Sequence, residues 1–388
     1  MQMQQFQNGS KALIAASLMA MVLGSVHAFS VFLEPLEFQF GQPRAQVSLT
    51  YSLALASLTI AVLLGPRIYG RWSPSTLCLT ACLGAALGAF VAGLAPSLTM
   101  VWIGYGVIFG LANGLGYGFG LQLAARANPT RQGLSMGIVT AFYALGAALS
   151  PAAFSILQDV GGFRLAMAGL VLVLIGLAPI CAALLRGVRF ATDRETATTS
   201  QPRFRARTLG LLWLGYGAGV AAGLMTIGHA AGIATQLNPA ATAWHAPALL
   251  AICNLAGSLS AGRLTDHLAP RALLIGLPLL TAAAVLTLAT LGTAGIVLPA
   301  LGIIGFAYGG TIAAYPAAIA IRFAPDDGPR IYGRVFTAWG LAGLTAPWLA
   351  GRLFDATGTY DTALLAAGIL AGLSAGAASL LPRHHAPI

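Results

Sequence analysis

The chain has 388 residues, of which 57% are hydrophobic and only 8% are charged, and its mean hydropathy is +0.81. About a quarter of the residues in a soluble globular domain are charged, so this composition excludes a water-soluble protein and predicts an integral membrane protein. The formal net charge of +10 comes from 20 basic and 10 acidic residues, and its meaning depends on where those residues lie along the chain.

Apolar segments long enough to cross a membrane follow one another through almost the whole sequence. A hydrocarbon layer of about 30 Å needs about 20 apolar residues in a helix. Six segments of this kind lie near residues 11–33, 44–66, 75–95, 99–125, 134–157 and 164–185. Six more lie near residues 208–235, 243–264, 271–291, 295–321, 331–354 and 361–381. We therefore predict an all-α integral membrane fold with 12 transmembrane helices.

The second set of segments repeats the first with a constant offset of 196 residues. The identical pairs are mostly glycines, prolines and helix-end charges, for example Gly106 with Gly302, Arg126 with Arg322, Pro151 with Pro347 and Asp159 with Asp355. Six spans return the chain to its starting side, so the two copies form a parallel repeat. We predict a six-helix bundle over residues 1–186, a linker over 187–207 and a second bundle over 208–388.

The basic residues indicate the orientation of the chain. With both termini in the cytoplasm, 17 of the 20 basic residues lie on the cytoplasmic side, as the positive-inside rule requires. The net charge is thereby explained by topology and gives no indication of nucleic-acid binding. We read the linker as a cytoplasmic tether that helps to set the orientation, with contact to anionic lipid as the alternative. The expected location is the cytoplasmic (inner) membrane, with multiple spans.

The sequence shows no pattern typical of a catalytic or metal site. The four cysteines fall inside predicted spans without metal-binding spacing, and no Ser-His-Asp or H-E-x-x-H arrangement occurs. We therefore expect no enzyme, no cofactor and no metal. All 10 acidic residues lie near the predicted membrane faces, which leaves His27 and His229 as groups for proton coupling, or exchange without protons.

Two six-helix halves in parallel repeat, joined by a basic loop, resemble the major facilitator superfamily. The loop after span 8, from Gly262 to Arg271, is similar to the loop motif of that superfamily, whereas the loop after span 2 has Gly70 where the repeat has Asp266. The resemblance implies that this loop latches the cytoplasmic side, mainly through the second copy. The implied gating residues are Arg67, Arg263, Asp266 and Arg271.

Within the superfamily, several stretches resemble the branch of oxalate:formate antiporters and monocarboxylate porters. They are 30–38, 131–137, 223–229 and 351–360. Porters of that branch hold a carboxylate with a basic residue in span 1 and an arginine in span 8. In those porters the span 8 arginine has an acidic partner in the same span. Here His27 stands at the basic position of span 1, Ser258 at the arginine position and Asn254 at the position of the acidic partner. Because the arginine and its acidic partner are both replaced by neutral residues, no buried charge is left unpaired in span 8.

In this superfamily, spans 1, 4, 7 and 10 line a central cavity and spans 2, 5, 8 and 11 flank it. The polar and aromatic residues at the matching positions are the predicted substrate-binding residues: His27, Asn113, Tyr117, Tyr143, His229, Asn254, Ser258, Tyr308, Tyr315 and Trp339. Most of them have unlike partners under the 196-residue shift. The alternative for each is helix packing, since an intramembrane polar side chain can simply bond a neighbouring helix.

The resemblance implies a secondary transporter that moves a small organic anion, similar to a monocarboxylate or dicarboxylate, by alternating access. It implies a monomer in a lipid bilayer that binds its small-molecule substrate, with a proton or a counter-anion as the coupled species. One alternative is efflux of a neutral or partly apolar small molecule. The other is a membrane sensor that kept the fold without transport.

Overall fold

The computed structural model describes residues 2–128, 131–188, 206–240, 242–264, 268–323 and 328–382. Every regular element in these ranges is helical, which confirms the predicted all-α class. Nine helices within the same ranges are long and apolar enough to cross a membrane. The predicted count of 12 and the cytoplasmic position of the termini stay predictions.

The first half of the chain is a series of helices with two changes of helix type. Its elements are α1 (Gln2–Leu23), a 3₁₀ helix (Gly24–Phe32), α2 (Leu33–Phe40), α3 (Arg44–Leu64), α4 (Pro66–Tyr69), α5 (Pro74–Gly93), α6 (Leu98–Val101), a π-helical stretch (Trp102–Phe109), α7 (Gly110–Ala127) and α8 (Gln132–Leu184).

The second half consists of α-helices alone in the ranges given above. They are α9 (Ala206–Ile227), α10 (Ala230–Leu237), α11 (His245–Leu264), α12 (Pro270–Leu291), α13 (Ala294–Arg322), α14 (Gly328–Thr357) and α15 (Asp361–Ser379). Of these, α11 and α14 cover predicted spans but are not among the nine helices, and the apolar part of α11, His245–Ala261, is shorter than theirs.

Helix α8 contains two predicted spans in one continuous element. Its 53 residues would extend for about 80 Å if straight, at about 1.5 Å per residue, which is more than twice the hydrocarbon thickness. The helical backbone is interrupted at Gly161 and Gly162, and Gly162 has φ of 67°, a conformation that favours glycine. The break lies between the predicted spans 134–157 and 164–185, which accounts for part of the difference between nine and 12.

The chain divides into two compact units. Unit 1 comprises Met1–Gln42 and Leu49–Ala197, and unit 2 comprises Pro43–Ser48 and Thr198–Ile388. Inside unit 1, α1 packs along α7 and α8, and α5 packs against α8. Inside unit 2, α11 packs along α13, α9 along α14 and α12 along α15. The first turn of α3 therefore belongs to unit 2, although the rest of that helix belongs to unit 1.

Glycines allow the closest helix contacts in both units. In unit 1, a Cβ added to Gly110 of α7 would lie 2.6 Å from the carbonyl oxygen of Ala54 on α3. In unit 2, Gly305 of α13 lies against the backbone of Leu250 on α11, and Gly309 one turn later lies against Asn254. Small residues let helices approach closely in lipid, where van der Waals contact drives their association. Both crossings therefore use glycine for close approach, although at different repeat positions, since the 196-residue shift places Gly110 on Phe306 and Gly305 on Phe109.

We expect Gly110→Val to lower the melting temperature of the detergent-solubilised protein, because the new side chain would overlap the backbone of α3. Overpacking of this kind costs roughly 1–3 kcal/mol or more. Gly176→Val is the matched control, since Gly176 is exposed and has open space around it. Equal melting temperatures for the two variants, measured by fluorescence-detected thermal unfolding, would contradict this account of the crossing.

Candidate functional site

The first membrane-spanning segment changes its winding where His27 lies. The α-helix α1 ends at Leu23, and the chain continues as a nine-residue 3₁₀ helix over Gly24–Phe32. Stretches of 3₁₀ helix longer than three or four residues are uncommon, and inside longer helices they often mark functional positions. The tighter winding places His27 beside α3 and α8.

The imidazole of His27 has one bonded nitrogen and one free nitrogen. Its Nδ1 lies 2.7 Å from the hydroxyl oxygen of Tyr51, and Tyr143 stands edge-on with its ring centroid 5.7 Å away. The second nitrogen, Nε2, has no hydrogen-bond partner among the described residues. Because His27 is only half-buried while Tyr51 is 1% exposed, Nε2 is available to a ligand.

Asn113 connects three helices beside this histidine. Its Nδ2 donates to the carbonyl oxygen of Leu23 at 2.6 Å, where α1 ends, and its Oδ1 accepts from the Tyr143 hydroxyl at 3.2 Å. The side chain is completely buried. Tyr117 lies next to the pair, with its ring 4.6 Å from that of Tyr143. The asparagine is therefore engaged at both ends and holds α1, α7 and α8 together.

These contacts bring four predicted residues together in unit 1. The group, called the N-terminal cluster here, consists of His27, Asn113, Tyr117 and Tyr143 with Tyr51 added. Reasoning from the sequence missed Tyr51. The signal was present, because the 196-residue shift places Tyr51 on Pro247, an unlike pair of the kind that identified the other candidates.

A second group lies in unit 2 and consists of Asn254, Ser258, Tyr308 and Trp339, called the C-terminal cluster. Ser258 Oγ donates to the carbonyl oxygen of Gly309 at 3.0 Å, and Trp339 Nε1 donates to the Tyr308 hydroxyl at 3.1 Å. Asn254 is half-buried and lies against Gly309. Four of the predicted residues are thus joined across α11, α13 and α14.

Tyr315 lies away from this group. It is fully buried, and its ring is 4.7 Å from that of Tyr216 on α9. Its position on α13 is two turns beyond Tyr308. The contact is the kind of aromatic pair that fills a helix interface.

His229 is enclosed by a hydrogen-bond chain. Its Nε2 is 2.8 Å from the carbonyl oxygen of Pro347, and its Nδ1 is 3.2 Å from the Tyr360 hydroxyl. A carbonyl can only accept, so Nε2 carries the proton and Nδ1 accepts from Tyr360 in the neutral ring. The Tyr360 oxygen in turn accepts from Arg44 Nη1 at 2.7 Å. Since His229 is 0% exposed, both nitrogens are committed to the protein.

The start of α3 is bound to the end of α14 within unit 2. The backbone N–H groups of Arg44 and Ala45 donate to the two carboxylate oxygens of Asp355, each at 2.9 Å. A carboxylate at a helix N-terminus satisfies unpaired donors and interacts favourably with the helix dipole. The Arg44 guanidinium also lies 4.0 Å above the Phe354 ring, a cation–π contact. The stretch 351–360, which resembles the oxalate:formate and monocarboxylate branch, therefore helps to fix the start of α3.

The predicted gating residues have separate surroundings. Arg67 lies exposed on α4, and Arg263 lies exposed near the end of α11. Arg271 donates through Nη2 to the carbonyl oxygen of Ser379 at the end of α15. Asp266 lies outside the described residues, so the latch itself stays a prediction. Within the described ranges, no group of three or more His, Cys, Asp or Glu side chains could hold a metal ion.

Comparison with known proteins supports the major facilitator superfamily. No family profile matches the chain. The uncharacterized MFS-type transporter YhjX of Escherichia coli (strain K12) is 26% identical over 342 residues, which cover 86% of this chain and 85% of that protein. The finer placement in the oxalate:formate or monocarboxylate branch stays a prediction.

Solved structures show the same fold. A bacterial homolog of the human lysosomal transporter Spinster, inward-facing and occupied, has a TM-score of 0.77 at 16% identity, with 95% of this chain and 96% of that chain covered. FucP, a major facilitator superfamily transporter in the outward conformation, has a TM-score of 0.65 at 18% identity, with 97% and 99% covered. These likenesses establish the major facilitator fold over nearly the whole chain.

We expect Asp355→Ala to speed amide exchange in the segment 43–50, because two N–H groups of the first turn of α3 lose their acceptor. Loss of a helix cap costs about 0.5–2 kcal/mol, so exchange should accelerate by roughly 2- to 30-fold. Hydrogen–deuterium exchange mass spectrometry measures it. Asp159→Ala is the control, since Asp159 is the repeat partner of Asp355 and is exposed. An unchanged rate in the Asp355 variant would refute the capping role.

Proposed function

We propose that the protein is a transporter of the major facilitator type that works by alternating access and carries a small organic anion of the monocarboxylate or dicarboxylate class. The fold extends over 95% or more of the chain in each solved transporter compared, and the relative from Escherichia coli carries the description of an MFS-type transporter. In such folds the substrate site lies near the middle of the membrane between the repeats. We therefore expect the substrate to be contacted by polar groups within the spans.

The free Nε2 of His27 is the observation that carries the anion proposal. When Tyr51 donates to Nδ1, the proton of the neutral ring is on Nε2, which then donates outward. A second proton converts the ring to a cation with donors on both nitrogens, and Tyr51 then accepts. A carboxylate oxygen is a suitable acceptor for Nε2–H in both states, and the charge-assisted bond is the stronger one.

Exposure divides the predicted substrate residues into two groups. Side chains that are partly accessible can touch a solute, and these are His27, Tyr117, Asn254 and Ser258. We assign Tyr143, Tyr308 and Trp339, each less than 10% exposed, to the walls behind them. We assign Asn113, His229 and Tyr315 to helix packing, because they are completely buried.

Export of a neutral or partly apolar molecule is the second candidate. It is favoured by the chemistry of the two clusters, which contain the aromatic rings of Tyr117, Tyr143 and Trp339 and no lysine or arginine. In this case Nε2 of His27 would bond a neutral carbonyl or hydroxyl. A transport panel that includes neutral aromatic compounds separates the two candidates.

In proteoliposomes loaded with unlabelled substrate, we expect His27→Gln to reduce counterflow of a labelled mono- or dicarboxylate on the order of tenfold, as loss of a bond to a charged group predicts. Tyr51→Phe should cause a smaller loss, because it removes only the partner that orients the imidazole. His245→Gln is the control, since His245 is exposed and bonds Thr242 at the start of α11.

Counterflow of the carboxylates by the native protein and its selective loss in His27→Gln would support the proposal. If neutral aromatic compounds exchange and no carboxylate does, the anion class is wrong and the second candidate replaces it. If nothing in the panel exchanges although binding is measurable, the transport proposal fails in favour of a sensor. Equal losses in the His27 and His245 variants would remove His27 from the site.

A further inference from the structure

Unit 1 contains a cavity of about 490 Å³ at one end of its helix bundle. It lies where α7 and α8 end and where α5 begins, so Trp72 and Ser73 before α5 and Ser75 in its first turn form one side. The last turns of α7 and residues 185–188 after α8 form the other. Ligand pockets typically have volumes of about 300–1,000 Å³. The predicted topology puts this end on the cytoplasmic side.

The charge that lines the cavity is positive. Arg126 comes from the last turn of α7, and Arg186 follows the end of α8. Neither guanidinium has a hydrogen-bond or ion-pair partner in the part of the chain that the structure describes. No described lining residue is acidic. Burial raises the pKa of the Tyr69 hydroxyl, which keeps this lining residue neutral. The two arginines are therefore left with uncompensated charge.

The repeat partner of Arg126 in unit 2 has a hydrogen bond that Arg126 does not have among the described residues. The 196-residue shift places Arg126 on Arg322 and Arg186 on Pro382. In unit 2, Arg322 Nη1 donates to the carbonyl oxygen of Pro382 at 3.1 Å. In unit 1 the same arginine has no such bond, and a second arginine occupies the position of the proline. In unit 2 the arginine is thus hydrogen-bonded to the chain, whereas in unit 1 two guanidinium groups lack a partner among the described residues.

The neighbouring hydroxyl groups are already engaged. Ser75 Oγ donates to the carbonyl oxygen of Ala182 at 3.0 Å, and Ser73 Oγ accepts from the backbone N–H of Thr76 at 3.1 Å. Position 70 is glycine where the repeat has Asp266, so no carboxylate competes at the rim. The Trp72 side chain, 46% exposed, adds an apolar surface. The cavity therefore offers two cationic donors beside an apolar wall.

We propose that this cavity binds a phosphate group, carried either by an anionic phospholipid of the surrounding leaflet or by a soluble phosphate ester. Guanidinium groups bond phosphate oxygens in bidentate fashion, which suits a tetrahedral anion held between Arg126 and Arg186. The apolar wall formed by Trp72 accommodates the glycerol or acyl portion attached to the phosphate. Anionic lipid on the cytoplasmic leaflet is attracted to basic segments at the membrane surface.

The test uses the full chain, purified in detergent and stripped of lipid. Phosphatidylglycerol is then added back, and its retention is measured by native mass spectrometry against that of added digalactosyldiacylglycerol, which has no phosphate. Binding of glycerol 3-phosphate is measured by calorimetric titration. We expect the double variant Arg126→Gln/Arg186→Gln to lose at least tenfold in affinity. The control, Arg71→Gln/Arg131→Gln, also removes two exposed charges, and neither of its residues lines the cavity.

A third variant keeps both arginines. Gly70→Asp adds a carboxylate at a position with open space around it, so it should fold normally and weaken binding on the order of tenfold by competing for the guanidinium groups. Loss of lipid retention in both test variants supports a lipid phosphate, and loss of glycerol 3-phosphate binding supports a soluble ester. Binding of neither probe, or equal losses in the test and control variants, overturns the proposal.

Discussion

The constraint on which the structure depends is that a chain in lipid must satisfy its own backbone hydrogen bonds, because hydrocarbon offers no water to do so. Regular helices meet this requirement by themselves, and the described residues form no strand. Where the helices change or end, polar side chains complete the bonding. Asn113 donates to the Leu23 carbonyl where α1 becomes 3₁₀ helix, His229 donates to Pro347, and Asp355 caps the first turn of α3.

This constraint separates structural from available polar groups, and the difference is visible atom by atom. Asn113 and His229 have every polar atom engaged within their unit. His27 keeps one nitrogen free because Tyr51 satisfies only the other. A buried polar group that is fully bonded stabilises the fold, whereas a half-bonded one at an accessible position can bind a solute. The proposed transport site therefore rests on His27 more than on the other candidates.

The two copies of the repeat also differ in which of their shared residues are bonded within the protein. Gly106 and Gly302 are identical under the shift, and each lies against an equivalent leucine, Leu53 on α3 and Leu249 on α11. The arginine at positions 126 and 322 is shared in sequence, but its bonding differs between the copies. Identity under the shift thus indicates a common helix position without establishing a common task. The inferred phosphate site lies where the two copies bond differently.

The sequence by itself determined the membrane class, the all-α fold and the resemblance to the major facilitator superfamily, because these follow from hydropathy, span length and a constant repeat offset. It also selected eight residues that gather in two clusters. Tertiary structure alone decided which polar atoms are free, since that depends on partners far along the chain: Leu23 for Asn113, Tyr360 for His229 and Tyr51 for His27. Hydropathy measures the tendency of a segment to partition into lipid. It does not specify which distant carbonyl or hydroxyl a side chain will contact.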